Sequence, residues 1–156
     1  MPSRRETIAM TPQELSAYLA AQRRIILITN GASGLPHPMP MNYGIDAEGR
    51  VVIATFRKSQ KVKNLERDPR ATLLVESGVA YRELRSAVLY CDVEIIGDAA
   101  GIAENMALIR ADSAMADSMS AAMSEQVRAS LAKRVVLRFT PFRVVSWDHG
   151  KLGGVY

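Results

Sequence analysis

"VVIATFRKSQKVKNLERDPRATLLVE", residues 51–76, joins two apolar runs through a short, strongly basic segment. Residues 51–56 are β-branched and apolar and read as a strand. Four basic residues, Arg57, Lys58, Lys61 and Lys63, then crowd around Ser59. A helical pattern follows and stops at Asp68-Pro69, because the residue before a proline is pushed out of helical backbone. Residues 70–76 read as the next strand. Ser59 stands where a cap for this helix belongs. A helix start offers free amides and the positive end of the macrodipole. Thr55 at the strand end, Ser59 and Lys61 can therefore converge on one anion, and a phosphate suits hydroxyls, amides and an ammonium together. The competing reading is a capped surface helix with solvated lysines.

Working outward, Thr11-Pro12-Gln13-Glu14 matches a capping box with proline in the first turn, which predicts a helix with Leu15, Tyr18, Leu19 and Ala21 on its apolar face. "RIILITN" (24–30) predicts a strand that ends at the Gly31 turn. "HPMPMNYGID" (37–46) is extended, since Pro38 and Pro40 exclude helix and argue against a central strand. "SAVLYCDVEIIG" (86–97) alternates Val88, Tyr90, Asp92 and Glu94 with Leu89, Cys91, Val93 and Ile95. A helical stretch from about Ile102 to Lys133 carries Met115, Met119, Met123, Val127 and Leu131 at intervals of four, which gives one apolar stripe. The last strand is "RVVLRFTPFRVVSWD" (134–148), expected to break at Pro141.

Closely spaced strands with short turns predict a mostly β fold with helices (α+β), an antiparallel sheet curling into a barrel. The alternating pattern of a parallel sheet is missing, as are GxGxxG and GxxxxGK[ST]. The 156 residues fit a single domain, 1–156, and 48% hydrophobic residues suffice for a core. The net charge of +4 suits an anionic ligand without marking a nucleic-acid binder. Cys91 is the one cysteine, so neither a disulfide framework nor a cysteine zinc site is expected, and no metal site is assigned. With no apolar run of membrane-spanning length and no leader pattern, the expectation is a cytoplasmic protein with neither membrane nor nucleic acid as partner.

The spacing T-x-x-x-S-x-K-x-x-N-L-x-x-D-P-R resembles the FMN-binding split-barrel family typified by pyridoxamine 5′-phosphate oxidase. The resemblance implies an antiparallel split β-barrel in which Thr55, Ser59 and Lys61 hold the flavin phosphate. Gln60 stands where these oxidases often have arginine, so a contact there is weaker or comes from Arg57 or Lys58. "GLPHPMPMNY" (34–43) is similar to the strand beside the isoalloxazine ring, which implies Met39, Met41 and Asn42 as cofactor-facing residues. "YRELRSAVLYCDVEI" resembles a further family strand and implies Arg85 and Ser86 near the polar edge of the flavin, although the oxidases often read Arg-Gln there. The tail "TPFRVVSWDHGKLGGVY" resembles a bacterial flavin and deazaflavin subgroup and implies Trp147 and Lys151 near the cofactor. The resemblance covers about residues 11–98 and 135–154 and leaves the intervening helical stretch unexplained.

The function it implies is an FMN-dependent oxidoreductase exchanging hydride with a small molecule. The alternatives are a deazaflavin reductase, with Arg23, Arg24, Arg57 and Lys58 receiving an acidic cofactor tail, or a non-catalytic module that stores flavin or binds nucleic acid. No catalytic residue is assigned, because His37 lies between prolines, His149 lies in a polar turn, and no acid–base pair stands out. The oxidases share an Arg-x-His substrate motif near the C-terminus, and here that place reads "SWDHGKLGG". The resemblance also implies a homodimer with the cofactor at its interface. That fits a half-open barrel whose edges and apolar wall need cover.

Overall fold

A computed structural model describes residues 3–109 and 125–154. Helices α1 (Arg4–Ile8) and α2 (Pro12–Ala21) precede strands β1 (Arg24–Asn30), β2 (Pro36–Asn42), β3 (Gly44–Ile45) and β4 (Val51–Phe56). Helix α3 (Gln60–Arg67) leads to β5 (Arg70–Ser77) and β6 (Arg85–Ile96). Helices α4 (Ala99–Met106) and α5 (Glu125–Ala132) come before β7 (Arg134–Asp148) and a closing 3-10 turn, His149–Leu152. Met115, Met119 and Met123 of the expected apolar stripe lie outside the described residues, as does the side chain of Val127.

The seven strands form one antiparallel sheet in the order β2-β1-β5-β6-β7-β4-β3. The expected antiparallel split barrel is what the chain builds. β7 carries the curl: residues 134–139 pair with β4 and residues 136–148 pair with β6. The strand does not break at Pro141. A bulge opposite Tyr90 and Cys91 absorbs the proline, which cannot donate to the ladder, and bends the sheet there. Phe142, the residue left over, is 61% exposed.

The period-2 pattern is the burial pattern. Ile25, Leu27 and Thr29 of β1, Leu73 and Val75 of β5, and Leu89, Cys91 and Val93 of β6 are all buried. Ile53, Val135, Leu137 and Phe139 complete the barrel interior, and Val62 and Leu65 of α3 close one end of it. On the other side of β4 and β7, Val52 and Val136 meet Ile102 of α4.

β2 sits at an edge of the sheet, as its prolines require. Cross-strand register puts His37, Met39 and Met41 opposite Thr29, Leu27 and Ile25, on the interior face. The outer face of the β1–β5–β6 wall carries Ile26, Ile28, Leu74 and Val88, all half-buried.

α2 has its capping box: Glu14 N donates to Thr11 Oγ1 and Thr11 N donates to Glu14 Oε2. Tyr18 and Leu19 are buried and Leu15 packs on the core, whereas Ala21 is exposed. α1 was not expected, although Ser3-Arg4-Arg5-Glu6 is itself a capping-box spacing. No helix among the described residues is long and apolar enough to cross a membrane.

Candidate functional site: the strand β4–helix α3 junction

β4 delivers Thr55 to the mouth of the barrel, where it is 4% exposed. A turn over Phe56–Ser59 reverses the chain and starts α3. Lys61, in the first turn of that helix, folds back so that Nζ donates to Thr55 Oγ1 at 3.0 Å. No carboxylate pairs with it among the described residues, and burial alone pushes its pKa below the ordinary lysine value.

Ser59 departs from expectation. It occupies the N-cap position, yet its side chain caps nothing. Its hydroxyl is buried and has no hydrogen-bond partner. The amides of Val62 and Lys63 are satisfied by the carbonyl of Ser59, so those of Gln60 and Lys61 remain as the open donors of the helix start. Buried hydroxyls in native proteins are almost always bonded. An orphaned one beside free amides and a half-buried ammonium has the donor set of a phosphate cradle. The residues present thus fit the phosphate of a flavin mononucleotide.

Sequence reasoning missed the polar network beneath this cluster. Gln60 Nε2 donates to Asn64 Oδ1 at 2.9 Å, and Asn64 Nδ2 donates to Thr29 Oγ1 at 3.0 Å. Asn64 is 1% exposed and Thr29 0%. The Gln60–Asn64 spacing of i, i+4 was the available signal, but the partner on β1 was not. Gln60, expected at the cofactor, spends its amide on this network. Asp68 ends α3 and ties it to β1 as well, accepting from Asn30 Nδ2 at 2.9 Å and from Arg70 Nε at 3.0 Å. Those bonds, the one from Arg70 first, hold its carboxyl at about 2.

Arg57 does not turn toward Ser59. Its Nη2 donates to the carbonyls of Gly97 at 2.9 Å and Arg134 at 3.4 Å. Lys58 is exposed.

Of the remaining expected residues, Arg85, Ser86 and Trp147 lie at the end of the sheet remote from α3. Met39 and Met41 are half-buried on the interior face of β2, whereas Asn42 is exposed on the opposite face. The Asn42 side chain therefore does not share the strand face of Met39 and Met41. Arg85 and Ser86 begin β6, at the end remote from α3, with Asp148 and Trp147 as their register partners. Arg85 pairs with Asp148 at 3.0 Å and lies over the Tyr18 ring. The Ser86 hydroxyl is buried and donates to Val75 O at 2.8 Å, so it is not free for a ligand. Trp147 is half-buried.

Lys151 is engaged too, donating to Ala9 O at 2.7 Å and Glu14 Oε2 at 2.6 Å. His149 packs against Tyr81 with ring centroids 4.4 Å apart and places Nδ1 2.9 Å from Tyr81 O. His37 keeps a buried, unbonded Nδ1. Among the described residues no group of three or more His, Cys, Asp and Glu could hold a metal.

The family model described as pyridoxamine 5′-phosphate oxidase matches residues 11–148. A conserved hypothetical protein of Mycobacterium tuberculosis superposes with a TM-score of 0.81 at 28% identity, covering 99% of this chain and 95% of that one. An FAD-binding protein from Mesorhizobium loti superposes with a TM-score of 0.66 at 17% identity, covering 88% and 94% of the two chains. A protein named F420 reductase gives 0.61 at 23% identity, with 83% and 94% covered. These last two likenesses concern the fold. Among curated proteins none matches the sequence significantly.

Proposed function

Because the chain belongs to the pyridoxamine 5′-phosphate oxidase family, we propose that it is an FMN-dependent oxidoreductase acting on a small molecule. The observation that carries this reading is the buried, unpartnered Ser59 hydroxyl beside Lys61 and Thr55. Thr55, Ser59, Lys61 and the amides that open α3 would hold the phosphate. Bound FMN would supply hydride exchange at its ring. The chain supplies position: a charge-matched anchor, a rigid sheet behind it, and exclusion of water on the barrel side. Proximity and orientation suffice for that chemistry, which agrees with the lack of an acid–base pair.

The protein acts in this proposal as a cytoplasmic homodimer with the cofactor at the interface. Arg85, Ser86, Trp147 and Lys151 sit at the end of β6 remote from α3. A two-fold partner laid on the outer wall of β1, β5 and β6 can bring its own tail toward the phosphate cluster, and covers Ile26, Ile28, Leu74 and Val88 at once.

A deazaflavin reductase on the same fold is the second reading. It is favoured by the likeness to the protein named F420 reductase and by exposed Arg23, Arg24 and Lys58, which are free to meet an acidic cofactor tail. The absorption spectrum of the purified protein and the mass of its released chromophore separate the two. Titration with FMN and riboflavin then tests the anchor, and equal affinity for both removes the phosphate site from Ser59. A colourless protein that takes up neither cofactor overturns both readings.

A further inference from the structure

A concavity lies between α4, α5 and Arg57, and neither Thr55, Ser59 nor Lys61 lines it. It measures about 530 Å³ and is lined by Arg57, Ile102, Ala103, Arg128 and Leu131 with smaller residues between them. That volume is within the range of small-molecule sites, roughly 300–1,000 Å³. Its floor is core: Ile102 is 3% exposed and belongs with Val52 and Val136 to the cluster under the helices, against which Leu131 packs. Its rim is cationic, and among the described residues no acidic one lines it.

Arg57 is fixed there by its bond to the Gly97 carbonyl. A Cβ at position 97 would stand 2.9 Å from Arg57 Nη1, so a larger residue there would displace this guanidinium. Arg128 is exposed, and among the described residues it forms no ion pair. Lys133 and Arg134 follow the lining residue Ala132 directly and are equally without a carboxylate partner among the described residues.

An apolar floor under two guanidiniums discriminates between ligands in both directions. A fully polar anion leaves Ile102 and Leu131 without apolar contact, and a neutral hydrocarbon leaves Arg57 and Arg128 without a counter-charge. We infer that this cleft is a binding site for a small amphiphilic carboxylate, its apolar body between α4 and α5 and its carboxylate on Arg57 and Arg128. Guanidinium is the group whose planar fork matches a carboxylate. The site is separate from the Ser59 cluster and stands whether or not flavin binds there.

Calorimetric titration of octanoate and of 1-octanol into the purified full chain tests it. Saturable binding of one octanoate per chain is expected, with octanol weaker by about tenfold, the scale of a lost hydrogen bond to a charged group. Arg128→Gln changes an exposed side chain and should weaken octanoate by about the same factor while leaving octanol unmoved. Ala103→Trp should fill the cleft and abolish both. Magnetisation transfer from the octanoate methyl to Ile102 and Leu131 in the unmodified chain gives a readout free of any folding defect. Equal affinity for octanoate and octanol, unchanged octanoate binding in Arg128→Gln, or no saturable binding at all overturns the assignment.

Discussion

Asn64 Nδ2 donates to Thr29 Oγ1 at 3.0 Å across the packing surface between α3 and β1, and neither side chain is more than 1% exposed. This bond fixes the helix whose first turn carries the candidate phosphate anchor.

Thr29→Val should therefore cost about 1–3 kcal/mol of stability in urea unfolding, because it strands a buried amide donor. Adding Asn64→Leu should recover part of that loss. In both backgrounds FMN affinity should fall more than riboflavin affinity. Parallel losses for the two ligands would mean that the bond supports the fold and not the anchor.

Lys61→Ala should weaken FMN binding by about 1.5–3 kcal/mol, the scale of a charge-assisted hydrogen bond. Lys63 is exposed, and Lys63→Ala should leave affinity nearly unchanged. Burial lowers the pKa of Lys61 from 10.5, so its charge opposes folding at neutral pH and that penalty is relieved as pH rises through the folded value toward 10.5. A bound phosphate favours the charged form. Affinity should accordingly fall as pH climbs through the folded pKa of Lys61, and this alkaline fall should vanish in Lys61→Ala. Fluorescence titrations between neutral pH and pH 10.5 check both statements.

Light scattering at low micromolar protein should give a dimer. Leu74→Glu puts a charge on the half-buried outer wall of the sheet, and it should reduce the mass to the 17.1 kDa of one chain with loss of bound flavin. A monomer that retains its flavin would exclude a cofactor site between subunits.

The tail should loosen in acid. Glu14 has its pKa lowered from 4.5, chiefly by the hydrogen bond from Lys151 and next by the Thr11 amide. A depressed carboxylate contributes stability above its unfolded value and loses it as pH falls through the folded one. Hydrogen-exchange protection of residues 149–152 should thus drop below pH 4.5, and Glu14→Gln should show the same loss at neutral pH. Protection that persists in Glu14→Gln would mean that the contact to Ala9 suffices to hold the tail.

Pyridoxamine 5′-phosphate should not be oxidised at an appreciable rate. The tail, "SWDHGKLGG", lacks the Arg-x-His of the oxidases, and the substrate phosphate would have no clamp. Robust oxygen consumption with this substrate would overturn the prediction.

The sequence by itself determined where most of the strands run and where α3 begins and ends. Alternation in residues 86–97 reads directly as inward Leu89, Cys91 and Val93, and Asp68-Pro69 stops the helix by local sterics alone. Spacing also put Thr55, Ser59 and Lys61 within reach of one another, because a strand end, a tight turn and one helical turn leave little freedom. Only the tertiary structure decided what those side chains do. Ser59 could have capped its helix by every local rule. Lys61 meets Thr55, Asn64 crosses to Thr29, Arg57 turns to Gly97 and Lys151 reaches back to Glu14. The last three are contacts between residues 35, 40 and 137 positions apart. Such pairings are fixed by how the sheet curls and which helix covers which end, and no local period or motif encodes that. Pro141 shows the same division: its effect on backbone donors is local, but whether it breaks β7 or becomes a bulge depends on β6 lying alongside.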